Sequence, residues 1–154
     1  MFDKENICCF FGHRHTPDKI KPLLYAEIEK HIVEKNVNVF YVGGYGDFDA
    51  MSAAALRELQ REYPYIRVHR ILAYIPGKKD EYHSDSYENT LYPDGLEFVP
   101  RKFAITHRNR WIVERSDYII AYVLLGGGAY EALKYAERKN KSIVNLAESV
   151  VKMK

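Results

Sequence analysis

The sequence predicts an α/β protein: a single Rossmann-like three-layer domain over residues 1–154, built on a mostly parallel sheet. Three observations carry this. Short runs rich in β-branched and aromatic residues alternate with longer runs at helical spacing, the pattern of repeated right-handed strand-helix crossovers. Those short runs are apolar on both faces, as parallel strands covered on both sides are. Three of them end in glycine turns that lead into helices, at Gly12, at Gly43-Gly44-Tyr45-Gly46 and at Gly126-Gly127-Gly128.

Residues 6–11 read as the first strand. Thr16 then offers an N-cap and Pro17 a first-turn proline, and Ile20, Leu24, Ile28 and Ile32 recur every four residues. The first helix is expected to run to about Lys35, with Pro22 breaking or restarting it. Residues 37–42 form the second strand and 50–62 a helix of Ala, Leu, Met, Arg and Glu, stopped by Pro64. A third strand follows at 66–75. Residues 76–100 are polar and turn-rich but carry Tyr82, Tyr87, Tyr92 and Phe98, so they are expected to form a flap with one short strand at 96–99. Residues 103–115 read as a basic helix, 118–125 as a buried strand, 129–139 as a helix with Glu131 in its first turn, and 142–146 as a last short strand.

At 154 residues and 47% hydrophobic, the chain can bury one core and is short for two. A net charge of +2 demands no polyanionic partner. Asp3, Lys4 and Glu5 precede the first apolar run, and no apolar stretch reaches membrane-spanning length, which predicts a soluble, cytoplasmic protein with no membrane partner. Cys8 and Cys9 are adjacent on one strand, so they point to opposite faces and read as buried thiols.

In an open parallel sheet, ligands bind beyond the carboxyl ends of the strands where the strand order reverses. All three glycine turns fall at such ends. Gly43, Gly44 and Gly46 let a ligand approach the main chain, and a following helix presents unpaired N–H groups to an anion. Arg14 and Arg108 suit a phosphate; Asp47 and Asp49 suit ribose hydroxyls or a metal. Gly12, His13, Arg14, Gly43, Gly44, Tyr45, Gly46, Asp47, Asp49, Gly126, Gly127 and Gly128 are therefore the expected ligand-binding residues. His13 and His15 alone are too few for a metal site, and no metal or cofactor is expected. The dinucleotide fingerprint and the NTP phosphate loop are both absent from the sequence, which argues against ordinary hydride transfer and NTP hydrolysis.

The run Thr106-His107-Arg108-Asn109-Arg110 to Ser116-Asp117, followed by a strand and Gly126-Gly127-Gly128-Ala129-Tyr130-Glu131, resembles the SLOG superfamily, which includes the LOG phosphoribohydrolases, the YpsA-like proteins and the DNA-processing protein A family. Asp47-Phe48-Asp49-Ala50-Met51-Ser52-Ala53-Ala54-Ala55, Tyr63-Pro64 and Phe11-Gly12-His13-Arg14 resemble YpsA-like members. The resemblance spans most of residues 6–147. It implies that Arg108 falls on the catalytic arginine of the LOG enzymes and Glu131 on the last glutamate of their phosphate loop, and that the chain pairs as a homodimer. The loop's Pro and Thr are replaced near Leu125 and Gly128, and Asn109 stands where those enzymes have Lys, so the resemblance adds Asn109 to the expected ligand-binding residues.

The function expected from these residues is binding of a nucleotide or nucleotide-derived small molecule, as a sensor or binding protein. The enzymatic alternative is LOG-like cleavage of the N-glycosidic bond of a nucleoside monophosphate, with Glu131 stabilising the oxocarbenium-like centre and Arg108 gripping phosphate or the leaving side. Single-stranded DNA binding is a further alternative, separated from both by its steep salt dependence.

Overall fold

The computed structural model describes residues 4–73, 89–124 and 126–152. Six strands form one sheet: β1 (Ile7–Gly12), β2 (Val39–Val42), β3 (Arg67–Ile71), β4 (Asn89–Leu91), β5 (Tyr118–Tyr122) and β6 (Ser142–Asn145), in the order β4-β3-β2-β1-β5-β6. Every pairing is parallel. The helices are α1 (Lys21–Glu34), α2 (Asp47–Glu62), α3 (Ala104–Arg115), α4 (Gly127–Arg138) and α5 (Leu146–Lys152).

The sheet is buried on both faces, as its apolar strands require. On one side Phe10, Phe40 and Ile120 pack under Leu24 and Ile28 of α1, Phe48 and Leu56 of α2, and Leu146 of α5. On the other, Phe11, Tyr41 and Ile119 pack under Ile112 and Val113 of α3 and Leu133 and Ala136 of α4. Fully burying each of these large side chains contributes roughly 1.5–3 kcal/mol. Cys8 and Cys9 fall into opposite clusters, as alternation on a strand demands. Desolvation pushes the Cys9 thiol up to about 12 and the Cys8 thiol well above its ordinary value, so neither is a nucleophile.

The layers place a crevice. From β1 the chain crosses to β2 through α1 on one face, while from the adjacent β5 it crosses to β6 through α4 on the other. The carboxyl ends of β1 and β5 are thus the point where the strand order reverses.

Several boundaries differ from expectation. Pro22 is not among them: it lies in the first turn of α1, just after the 3-10 turn Asp18–Ile20, and restarts the helix there, its missing N–H being one that no helix start pairs. Thr16 caps no helix; its hydroxyl donates to the His13 carbonyl at 2.8 Å. The strand expected at 96–99 is a 3-10 turn, Leu96–Phe98, entered through Gly95 in the left-handed region, and the additional strand is β4. Glu131 is the fifth residue of α4 and so lies beyond its first turn, because the helix begins at Gly127. Tyr74, residues 76–88 of the expected flap with Tyr82 and Tyr87, and Leu125 lie outside the described residues.

Candidate ligand-binding crevice

At the reversal point a cavity of about 280 Å³ opens between the ends of β1 and β2 and the starts of α3 and α4. Its apolar wall includes Phe10, Phe11, Ile105 and Ile112. Its polar wall is Arg14, Tyr45, Asp49, Arg108 and Asn109. Asp49, Arg108 and Asn109 are buried, at 9%, 6% and 7% exposure. Buried charged and amide groups are costly unless paired, so their convergence on one hollow marks it.

Asp49 is the third residue of α2, and it reaches back over the glycine turn. Its Oδ2 accepts the Tyr45 N–H at 2.8 Å, and the carboxylate also takes the Gly44 N–H. Burial pushes this carboxyl up to about 6 against the opposing pull of the Tyr45 amide, Arg108, Arg70 and the Gly44 amide. The turn expected to hold a phosphate therefore already holds the protein's own carboxylate. A Cβ added at Gly43 would stand 2.6 Å from Arg108 Nη1 and 2.8 Å from Asp49 Oδ2, and one at Gly44, where φ is +89°, would stand 2.5 Å from Arg70 Nε. These glycines are required by the charges packed beneath them. Gly12 is likewise structural: a Cβ there would run into the Phe48 ring at 2.2 Å.

Arg108 is held in place from three sides. Its Nη1 donates to the Ile71 carbonyl at the end of β3 at 3.3 Å, and its guanidinium lies 5.4 Å from the centre of the Tyr45 ring. The third is Asp49. Next to it, Asn109 lines the same cavity, and among the described residues no group donates to its buried Oδ1.

Asp47, two residues before Asp49, does something else. It is exposed, its N–H donates to the Arg14 carbonyl at 2.7 Å, and its Oδ2 accepts the Thr16 N–H at 3.2 Å. It sews α2 to the loop after β1, where Gly46, with a φ of +89°, passes 2.8 Å from Arg14 Cα at its Cβ position. His13 also serves the frame. Its Nε2 accepts the Leu124 N–H at 2.8 Å, which places the ring proton on Nδ1, and its own N–H donates to the Tyr122 carbonyl at 3.3 Å. The ends of β1 and β5 are thereby locked together on the floor of the crevice. Asn145, which no motif marks, clamps the same end: its side chain exchanges hydrogen bonds with the Val123 N–H and carbonyl at 3.0 and 2.9 Å.

The third glycine turn is open. Gly126 and Gly127 have φ values of +72° and +83°, and a Cβ built at Gly126, Gly127 or Gly128 would meet nothing within 4 Å. Gly128 has neither a positive φ nor a close neighbour, and it borders the crevice. Its α4 N-terminus carries no side-chain cap. Glu131 is exposed and lines a separate hollow of about 170 Å³ with Arg110 and Arg138; this hollow shares Ile105, Asn109 and Gly128 with the crevice. Arg108 and Glu131 are thus neighbours across Asn109 rather than members of one cavity. Among the described residues no group of three or more His, Cys, Asp or Glu is placed to hold a metal ion, and no helix is long and apolar enough to cross a membrane.

A larger cavity, about 590 Å³, is a groove between α1 and α2 lined by Lys21, Tyr25, Ala54, Arg57 and Glu58. It lies on the outer faces of two helices and has no buried charged group in its wall, so the smaller crevice is the better candidate.

No family model matches the chain, and no curated protein matches it. Solved structures do. DNA processing protein A from Streptococcus pneumoniae superposes with a TM-score of 0.67 at 16% identity, over 90% of this chain and 49% of that one. The same protein from Helicobacter pylori, in a structure describing its single-stranded DNA binding mode, gives 0.62 at 17%, over 90% and 63%. The molybdenum cofactor binding protein of Rippkaea orientalis gives 0.62 at 15%, over 96% and 83%. The fold is Rossmann-like α/β and is shared with these structures. At these identities the likeness is one of fold, and the chain spans about half the length of the pneumococcal protein.

Proposed function

We propose that this SLOG-type chain is a binding protein or sensor for a phosphorylated heterocyclic small molecule, a nucleotide or nucleotide-derived compound, held in the crevice at the ends of β1, β2 and β5. The observation that carries the reading is Asn109: a buried amide whose Oδ1 is given no donor by the described residues and which lines the cavity beside buried Arg108 and Asp49. Unfilled buried polar capacity of this kind is what a ligand would satisfy. The phosphate belongs at the start of α4, where Gly128 leaves space and the helix amides lack a side-chain cap, with Arg14 across the mouth. Asp49 keeps it away from the start of α2. Solved neighbours described as binding the molybdenum cofactor and single-stranded DNA support a phosphorylated, ring-bearing ligand class.

A second reading, single-stranded DNA binding, is favoured by one surface feature. Phe98 and Phe103 are 85% and 52% exposed, next to Arg101 and Lys102, and Ile105 carries this strip to the crevice. Exposed aromatics among cations are stacking platforms for bases. The phosphoribohydrolase alternative needs Glu131 to reach the sugar from the adjoining hollow.

Calorimetric titration of nucleoside monophosphates, NAD and a short oligonucleotide at two salt concentrations, with chromatographic detection of released base, separates the three. The expected result is one-to-one small-molecule binding with little salt dependence and no base release. Oligonucleotide binding that weakens steeply with salt, with no small-molecule binding, would overturn it. Base release that vanishes in Glu131→Gln would convert the binding protein into a hydrolase.

A further inference from the structure

The two ends of the crevice differ in charge, and the difference constrains the ligand's ring. Resting on the reading of this crevice as the ligand site, we propose that its Asp49 end selects a 2-amino-4-oxo heterocycle, the edge shared by guanine and pterin, over adenine and hypoxanthine.

Asp49 is buried, lines the cavity, and spends only part of its accepting capacity on the Tyr45 and Gly44 amides. An ionised carboxylate has about four lone-pair sites, so room for further donors remains. No phosphate fits beside it, because like charges in a desolvated site repel. The ring must therefore lie at this end, and Phe10, Phe11, Ile105 and Ile112 give it apolar walls. A ring edge against a carboxylate has to donate. Guanine and pterin offer two adjacent donors, the ring N–H and the 2-amino group, spaced for the two oxygens of one carboxylate, and beside them a carbonyl that suits the Arg108 guanidinium. Adenine turns the N1 lone pair toward the carboxylate instead, and hypoxanthine offers the ring N–H alone. Asn109, whose amide can present either its oxygen or its NH2, serves the next position on the edge.

The test is calorimetric titration of wild-type protein at pH 7.5 with GMP, IMP, AMP and 6-hydroxymethylpterin, repeated on Asp49→Asn. The expected result is that GMP or the pterin binds about tenfold or more tightly than IMP and AMP, the tighter of the two identifying the source of the edge. In Asp49→Asn, whose Oδ1 can still accept the Tyr45 amide, the preference should disappear while the circular dichroism spectrum is kept. IMP or AMP binding as tightly as GMP and the pterin would overturn the edge assignment and leave the nucleotide reading standing. A preference that survives in Asp49→Asn would remove Asp49 from the recognition. No binding of any of the four by folded wild-type protein would overturn both the edge assignment and the reading beneath it. The wild-type comparison stands even if the variant fails to fold.

Discussion

The Arg108 guanidinium and the Asp49 carboxylate both close on Gly43, at whose Cβ position Arg108 Nη1 would be 2.6 Å and Asp49 Oδ2 2.8 Å away. One comes from α3 and the other from α2, and Arg108 is tied to the end of β3 through the Ile71 carbonyl. Two helices on opposite faces of the sheet thereby bring opposite buried charges to one place over its carboxyl edge, where Arg108 and Arg70 both favour the ionised Asp49.

Arg108→Met removes one of the two guanidiniums that favour the ionised Asp49, together with the bond to the Ile71 carbonyl. At pH 7.5 the loss should be about 1–3 kcal/mol. At pH 5, below the Asp49 value of about 6, the carboxyl is already protonated and the loss should shrink. Urea denaturation at the two pH values measures this; equal losses would mean that the two groups do not interact.

Asp49 also sets a pH dependence of its own. Its folded value of about 6 lies above the ordinary 3.8, so the folded state holds a proton that the unfolded chain releases between those values. Its contribution is present below about pH 4 and is lost as pH rises through 6, by about 3 kcal/mol in all. Asp49→Asn should flatten the stability profile over that window. A profile unchanged by the substitution would contradict the burial of the charge.

The two kinds of glycine turn should respond oppositely to alanine. At Gly128 nothing stands near the added methyl and φ is not positive, so Gly128→Ala should gain roughly 0.5 kcal/mol in thermal stability while weakening ligand binding. At Gly44, with φ at +89° and Arg70 Nε 2.5 Å away, Gly44→Ala should destabilise the fold itself by a few kcal/mol. A Gly44 variant that folds well and merely loses ligand would mean that the turn faces the ligand rather than its own carboxylate.

His13→Ala removes the acceptor for the Leu124 N–H and is expected to cost about 0.5–1.5 kcal/mol, and hydrogen exchange at Leu124 should quicken. His13→Gln, which can offer an oxygen near the same place, should recover part of the loss. If His13→Ala leaves stability and exchange untouched, the staple between β1 and β5 carries no weight.

Layer order and most strands were legible because a doubly covered parallel sheet writes itself as apolar runs, and the three glycine turns located its carboxyl edge. The division of labour within the site was less legible. Asp47 and Asp49 look alike in the sequence, but Asp49 shares a buried face with Ser52, Ala53 and Leu56, at the three-, four- and seven-residue spacings of a helix, and Asp47 does not. That spacing was readable. Asn109 was singled out only for standing where the LOG enzymes have Lys; its burial depends on how α3 meets α4, which no local pattern encodes. Glu131 looked like a first-turn residue because the helix was started at Ala129, whereas the glycines themselves form its first turn.

The most direct measurement is nuclear magnetic resonance of the isotope-labelled protein titrated with the tightest-binding nucleotide. The expected result is that amide shifts concentrate at 12–14, 43–49, 105–112 and 126–129, with the Asn109 side-chain amide among the largest. Shifts concentrated instead on Lys21, Tyr25, Arg57 and Glu58 would put the ligand in the larger groove between α1 and α2 and contradict the crevice as the site.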